Sequence, residues 1–255
     1  MIKLSNLALV GLGTVAMLAF SGAGFADESI VTANPANGKN IFENGKGDSV
    51  PACATCHGDK AMGNDDMGTP RLANIGYVYI VKQLTNFAED KRTDLTMMQM
   101  NAIAKALTPQ DMRDLASYED TFPLDNPERS DLNQLKTNGA AVGETFKGKL
   151  LVRYGSKDKV SACQTCHGFD GRGADPVFPK IGHQKYVYLV NQLTHWRDAS
   201  RANDPKQMMQ QIAQKLTDDD IHNAAAYLSQ ASDSTLGDGM EIDNETVLKN
   251  VKIVK

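Results

Sequence analysis

Apolar and polar positions along the chain fall at helical spacing. In "YVYIVKQLTNF" (77–87), Tyr77, Ile80, Val81 and Leu84 recur three and four residues apart, on one face of a helix. "YVYLVNQLTHW" (186–196) repeats the pattern. No stretch of useful length alternates apolar and polar residues as a half-buried strand does. The spacing predicts helices over about 35–45 and 141–154, from Tyr77 and Tyr186, around 97–107 and 207–216, and from Thr108 and Thr217. The last pair opens on Thr108-x-x-Asp111 and Thr217-x-x-Asp220, a spacing that suits a capping box. The expected class is all-α.

The recurrence extends along most of the chain. A shift of 110 residues carries Gly38 onto Gly148, Ile41 onto Leu151, Cys53 onto Cys163 and Gly63 onto Gly173. From Pro70 and Pro179 onward the shift is 109, and it superposes "LTPQDMRDLASY" (107–118) on "LTDDDIHNAAAY" (216–227). Tandem copies of this length predict two domains, 34–121 and 140–231, joined by a linker over 122–139 that holds Pro and Asn. Residues 232–255 have no counterpart and are read as a tail.

The N-terminus follows another pattern. Lys3 precedes the apolar run "LALVGLGTVAMLAF" (7–20), and small residues end at Ala26, so residues 1–26 read as a secretory signal peptide cleaved after Ala26. The run is shorter than the ~20 residues a spanning helix needs. An uncleaved anchor is the alternative.

Export changes the reading of the four cysteines. They form two C-x-x-C pairs, Cys53/Cys56 and Cys163/Cys166, each followed at once by a histidine, His57 or His167. Zinc or two disulfides could use the cysteines, but neither needs those adjoining histidines. C-x-x-C-H is the attachment signature of haem c. The thiols would add across the haem vinyl groups as thioethers, and His57 and His167 would take the proximal iron position. The carbonyls of Pro70 and Pro179, at equivalent points downstream, are candidates to hold the other imidazole nitrogen.

The repeat also nominates the sixth iron ligand. Under the 109 shift only Met100 meets a methionine, Met209, while Met97, Met98 and Met112 face Lys206, Gln207 and Ile221. Met98 and Met208 are the neighbouring alternatives. Two His/Met irons would be closed to substrate, with potentials raised by the thioether. The recurring cations Arg92/Arg201 and Arg71/Lys180 are candidates to neutralise haem propionates, with exposed surface charge as the alternative. Tyr77/Tyr186, Tyr79/Tyr188 and Phe87/Trp196 are expected in the cores. His183, His195 and His222 have no histidine counterpart and are expected at the solvated surface.

With two C-x-x-C-H-G motifs, "TPRLANIGYVYIVKQLTNF" and "FPKIGHQKYVYLVNQLTHW" after them, and a Met seven residues before "LT" in each half, the chain resembles the dihaem cytochrome c4 family over nearly all of 35–231. The resemblance implies two tandem class I cytochrome c-like domains, each wrapped around one covalently bound haem c, with their haem edges close together. It implies His57/Met100 and His167/Met209 as axial pairs. It further implies an electron carrier between a quinol-oxidising complex and a terminal haem-copper oxidase. The loop "MGTPRLANIG" and the tail depart from the family pattern.

Charge is divided unevenly. Residues 27–130 hold 10 Lys and Arg against 16 Asp and Glu, a net of −6, whereas residues 131–232 hold 13 against 10, a net of +3. Opposite fields suit different redox partners on the two halves. There is no basic stripe for nucleic acid, and loose association with a membrane surface stays open. The expected protein is a periplasmic carrier and not an enzyme. A cytochrome subunit serving a periplasmic dehydrogenase, such as a sulfur-compound oxidising one, is the runner-up. A dihaem peroxidase is a third reading that would need an iron able to open.

Overall fold

The computed structural model describes residues 32–123, 128–156 and 160–231. The expected signal segment 1–26 and tail 232–255 lie outside them. Eleven α-helices are formed among the described residues, and pairing of extended backbone is confined to isolated bridges such as Lys46–Val50 and Ala174–Phe178.

The first half runs α1 (Pro35–Asn44), α2 (Ala54–His57), α3 (Tyr77–Ala88), α4 (Met100–Lys105) and α5 (Pro109–Glu119). The second runs α7 (Thr145–Tyr154), α8 (Gln164–His167), α9 (Tyr186–Arg197), α10 (Met208–Ala213) and α11 (Asp218–Leu228). Each half has its own core: Ile41, Phe42, Ile80 and Leu115 in the first, Leu151, Val152, Tyr186 and Ile221 in the second.

In each half the first and last helices cross closely, and glycine permits it. A Cβ on Gly38 of α1 would strike the Asp114 carbonyl of α5, and one on Gly148 of α7 would strike the Asn223 carbonyl of α11. The last helices start where the pattern predicts. Thr108 and Thr217 each cap through the side chain, and Asp111 and Asp220 return the bond to the cap N–H.

Three differences from the sequence expectation have local causes. A helix, α6 (Leu132–Thr137), stands inside the expected linker 122–139, capped by Asp131 and pinned by Leu135 in the second core. The expected 141–154 helix begins only at Thr145, because the Asn223 side chain accepts the Glu144 N–H and holds the chain extended. The expected 97–107 helix begins at Met100. The Asp94 carboxylate accepts the N–H groups of Thr96, Met97, Gln99 and Met100 in the preceding loop, where Met98 sits at φ 60°.

The two halves are bonded to each other through backbone. The Gln184 side chain accepts the Arg71 N–H at 2.7 Å and donates to the Arg71 carbonyl at 3.0 Å. The Arg71 guanidinium, 1% exposed, donates to the carbonyls of Ala73 and Gly182. Asp65 of the first half accepts the Val187 N–H in the first turn of α9, at 3.0 Å. Among the described residues no helix is long and apolar enough to cross a membrane.

Candidate functional site

Each cysteine motif is one helical turn. Cys53 and Cys163 stand at the N-caps of α2 and α8 in helical conformation, and Gly58 and Gly168, at φ 78° and 71°, end the turns after the histidines. One turn brings both sulfurs of a pair to the same side, and all four thiols are free. Burial pushes the Cys53 thiol up to about 12, with the Glu119 charge adding to it, and the Cys163 thiol up to about 11. Such thiols are poor redox nucleophiles at neutral pH.

The histidines are buried, 6% exposed for His57 and 8% for His167. His57 Nδ1 lies 2.9 Å from the Pro70 carbonyl and His167 Nδ1 2.9 Å from the Pro179 carbonyl. A carbonyl accepts only, so Nδ1 carries the proton and Nε2 keeps its lone pair for a metal. Burial also holds both imidazoles below their ordinary pKa, against a smaller opposing effect of the carbonyl, so they stay neutral.

In the first half these groups open onto one apolar cleft, enclosing about 1240 Å³ of atom-free space that is partly open to solvent. Cys53, Cys56, His57 and Met100 line it, with Ile75, Ile80, Leu84 and Ile103 among its walls. Met98, by contrast, is 69% exposed. In the second half Met209 and Cys163 pack against the core, while Met208 is 41% exposed. A neutral imidazole with a free Nε2, paired thiols on one turn and an apolar cleft fit a covalently held porphyrin.

The cleft reaches the other half, since Tyr188 and Gln192 also line it. Arg92 donates to Gln83 at 2.8 Å, Tyr188 at 2.9 Å and Gln192 at 3.0 Å. Arg201 donates to Gln192 at 2.7 Å, Tyr79 at 3.2 Å and Gln83 at 3.1 Å. Arg92 lies over the Phe87 ring and Arg201 over the Trp196 ring. Both guanidiniums are buried, and among the described residues neither forms an ion pair. Burial pushes the Tyr79 phenol up, but the charges of Arg201 and Arg92 outweigh it and hold the group below its usual range. Two buried cations without a protein carboxylate invite an anionic ligand.

Arg71 also lines the cleft, but its guanidinium donates to the carbonyls of Ala73 and Gly182, and Lys180 donates to the Asn74 side chain. One of the histidines expected at the surface is buried: His183 is 2% exposed, on a loop that the Leu228 carbonyl anchors. His195 and His222 are partly buried, and His222 stacks on Tyr186 and shares a 2.7 Å hydrogen bond with its hydroxyl. Asp94, which fixes the loop leading to Met100, was not singled out from the sequence. The 109 shift sets it against Asn203, while Asp204 accepts the Met209 N–H at 2.6 Å, so the match slips by one residue. Gln83 and Gln192 join the network as well, and the repeated "QLT" is the sequence signal that aligns them.

The family model described as cytochrome c matches residues 35–119 and again 155–232. The thiosulfate dehydrogenase electron acceptor of Stutzerimonas stutzeri is 33% identical over 206 residues, 80% of this chain and 91% of that one. Cytochrome c4 of Thiocapsa roseopersicina is 37% identical over 185 residues, 71% of this chain and 87% of that one. A solved structure of thiosulfate dehydrogenase from Marichromatium purpuratum is similar at a TM-score of 0.69 and 27% identity. That match covers 78% of this chain but 40% of the larger one.

Proposed function

The chain belongs to the cytochrome c family, as a dihaem electron carrier related to cytochrome c4, and from that premise we propose that it is a periplasmic carrier of a respiratory chain. Its two covalently bound haem c groups supply reversible one-electron transfer at iron. In this reading Cys53 and Cys56 anchor one group and Cys163 and Cys166 the other. His57 and His167 stand as proximal ligands, oriented by Pro70 and Pro179. Met100 and Met209 would supply the remaining iron ligands, and a fully ligated iron would offer peroxide no site, so the chain is read as a carrier and not an enzyme. Arg92 and Arg201 neutralise propionate carboxylates. The domains run over 34–121 and 140–231, with α6 of the joining segment packed on the second, and residues 1–26 direct export and are cleaved after Ala26.

The observation that supports this reading is the pair of one-turn cysteine motifs, each followed by a buried histidine whose Nδ1 lies 2.9 Å from a proline carbonyl. The reciprocal Arg92/Arg201 bonds join the two halves that carry them. Electrons enter from a quinol-oxidising complex and leave toward a terminal haem-copper oxidase, with loose membrane association at most. The uneven charge of the halves directs the two partners to different ends. A second reading takes a sulfur-compound dehydrogenase as donor, and the likeness to a thiosulfate dehydrogenase electron acceptor over 80% of the chain favours it.

Stopped-flow reduction of the oxidised protein by each purified donor tests the assignment. Fast, salt-dependent reduction by the quinol-oxidising complex supports the first reading. Fast reduction by a thiosulfate dehydrogenase alone replaces it with the second, and failure of both donors removes both.

A further inference from the structure

Glu119 ends α5 with its side chain lining the first cleft. The residue is 3% exposed, and its Oε2 has no hydrogen-bond partner. In the second half the equivalent position is Leu228, 2% exposed. The backbone match is close: the Asn74 N–H donates to the Glu119 carbonyl at 2.9 Å, and the His183 N–H to the Leu228 carbonyl at 2.8 Å. One half thus places a carboxyl where the other places an isobutyl group.

A carboxylate in apolar surroundings with no donor is costly, so the neutral acid is favoured. Burial pushes Glu119 up to about 8. Charged groups on the elements packed around α5 are engaged elsewhere or lie apart. On α1, Lys39 pairs with Glu43 at 3.8 Å, and the Tyr118 hydroxyl donates to Glu43. On α3, Tyr79 takes its bond from Arg201, Tyr77 is partly buried, and Lys82 is partly exposed. Arg71, on the loop that reaches Glu119 through Asn74, donates to the carbonyls of Ala73 and Gly182. On α5 itself Asp111 binds Lys46, Asp114 binds Asn34 and Asn37, Arg113 binds Gln110, and Asp120 is exposed. From the α2 turn comes Cys53, which no longer titrates once it is a thioether.

We propose that Glu119 is a proton-binding site coupled to the first redox centre, taking up one proton from solvent on reduction and releasing it on oxidation. The proposal rests on the reading of this cleft as a haem site. Its balance is simple: the redox donor gives one electron, solvent gives one proton, and the carboxylate becomes the acid. Reduction removes one positive charge from the cleft, and that charge otherwise favours the carboxylate. By reciprocity the carboxylate disfavours the reduced state, so the potential of this centre falls as pH rises. Leu228 denies the second centre such a group.

Spectropotentiometric titration of the holoprotein from about pH 5 to about pH 10, spanning the ordinary and raised carboxyl range, tests this. The expected result is two one-electron steps. One falls with rising pH through the Glu119 titration, by up to about tenfold in its reduction equilibrium per pH unit, ~59 mV. Glu119→Gln removes that slope, and Glu119→Leu, which copies the second half, does the same. The reduced-minus-oxidised infrared difference spectrum shows a carboxylic acid C=O band on reduction that Glu119→Gln lacks. A slope that survives in Glu119→Gln, or a wild-type protein with two pH-independent steps, overturns the proposal while leaving the carrier reading intact. Absence of two reversible one-electron steps overturns both.

Discussion

Arg92 in the first half donates to the Tyr188 hydroxyl of the second at 2.9 Å, and Arg201 returns the contact to Tyr79 at 3.2 Å. Arg92→Leu removes a buried guanidinium and leaves the Tyr188 hydroxyl without that donor, while Gln83 and Gln192 keep only their bonds from the second half. The expected cost is about 2–3 kcal/mol in denaturant unfolding of the holoprotein. The loss of a cation beside the cleft also lowers the midpoint potential of the first centre. Arg92→Lys keeps the charge and restores most of the potential but less of the stability, because the planar fork is lost. Parallel unfolding and redox titrations measure both.

On the proposed ligation, Met100→Ala and Met209→Ala would each open one sixth position. The expected outcome is that the reduced wild-type protein keeps its spectrum under carbon monoxide and that each variant binds one equivalent. The altered centre also drops in potential, because thioether ligation raises it. Gas binding by the wild-type protein would reject the ligand assignment in at least one half.

The second half buries an ion pair that has no counterpart in the first. Arg153 donates to both carboxylate oxygens of Asp170, at 2.9 and 2.7 Å, and the Tyr227 hydroxyl donates to the same group. Asp170→Ala strands a buried cation and is expected to cost about 3–5 kcal/mol in unfolding free energy. At the corresponding positions of the first half stand Glu43 and Lys60, and Lys60 is exposed. Lys60→Ala is therefore expected to change stability by less than about 0.5 kcal/mol.

Asp111 makes stability depend on acid. Burial pushes its carboxyl up, but hydrogen bonds from Lys46 and Thr108 outweigh this and hold it below the usual carboxylate range. A depressed folded value means that the stabilisation is fully present above the unfolded value, about 3.9, and is lost as pH falls through the folded value. Asp111→Asn costs about 1 kcal/mol at neutral pH as a weakened cap and flattens the acid limb of the stability curve. Urea unfolding at neutral pH and near pH 3 checks both.

The duplication made most of the helices legible. Two copies of one pattern located α3 and α9, the capped starts of α5 and α11, and both histidine–proline pairs. Contacts between the halves were not legible, because the period of a helix says which face is apolar and nothing about what lies across a boundary. Gln184 and Gln83 read as ordinary polar residues until the other half is placed beside them. Helix α6 was hidden by its short length and by the Pro and Asn residues around it. Glu119 stands one helical turn after Leu115, a periodicity signal for burial that its charge masks. His183 is drawn inward by the same backbone anchor that Asn74 uses in the first half.

The Gln184 side chain satisfies both backbone groups of Arg71, so the seam between the halves behaves as a short stretch of secondary structure and not as a hinge. An electron crossing from one half to the other then meets a gap of fixed width. Its transit needs no diffusive rearrangement, and thickening the solvent with glycerol will slow encounters with partners while leaving the internal exchange at its original pace.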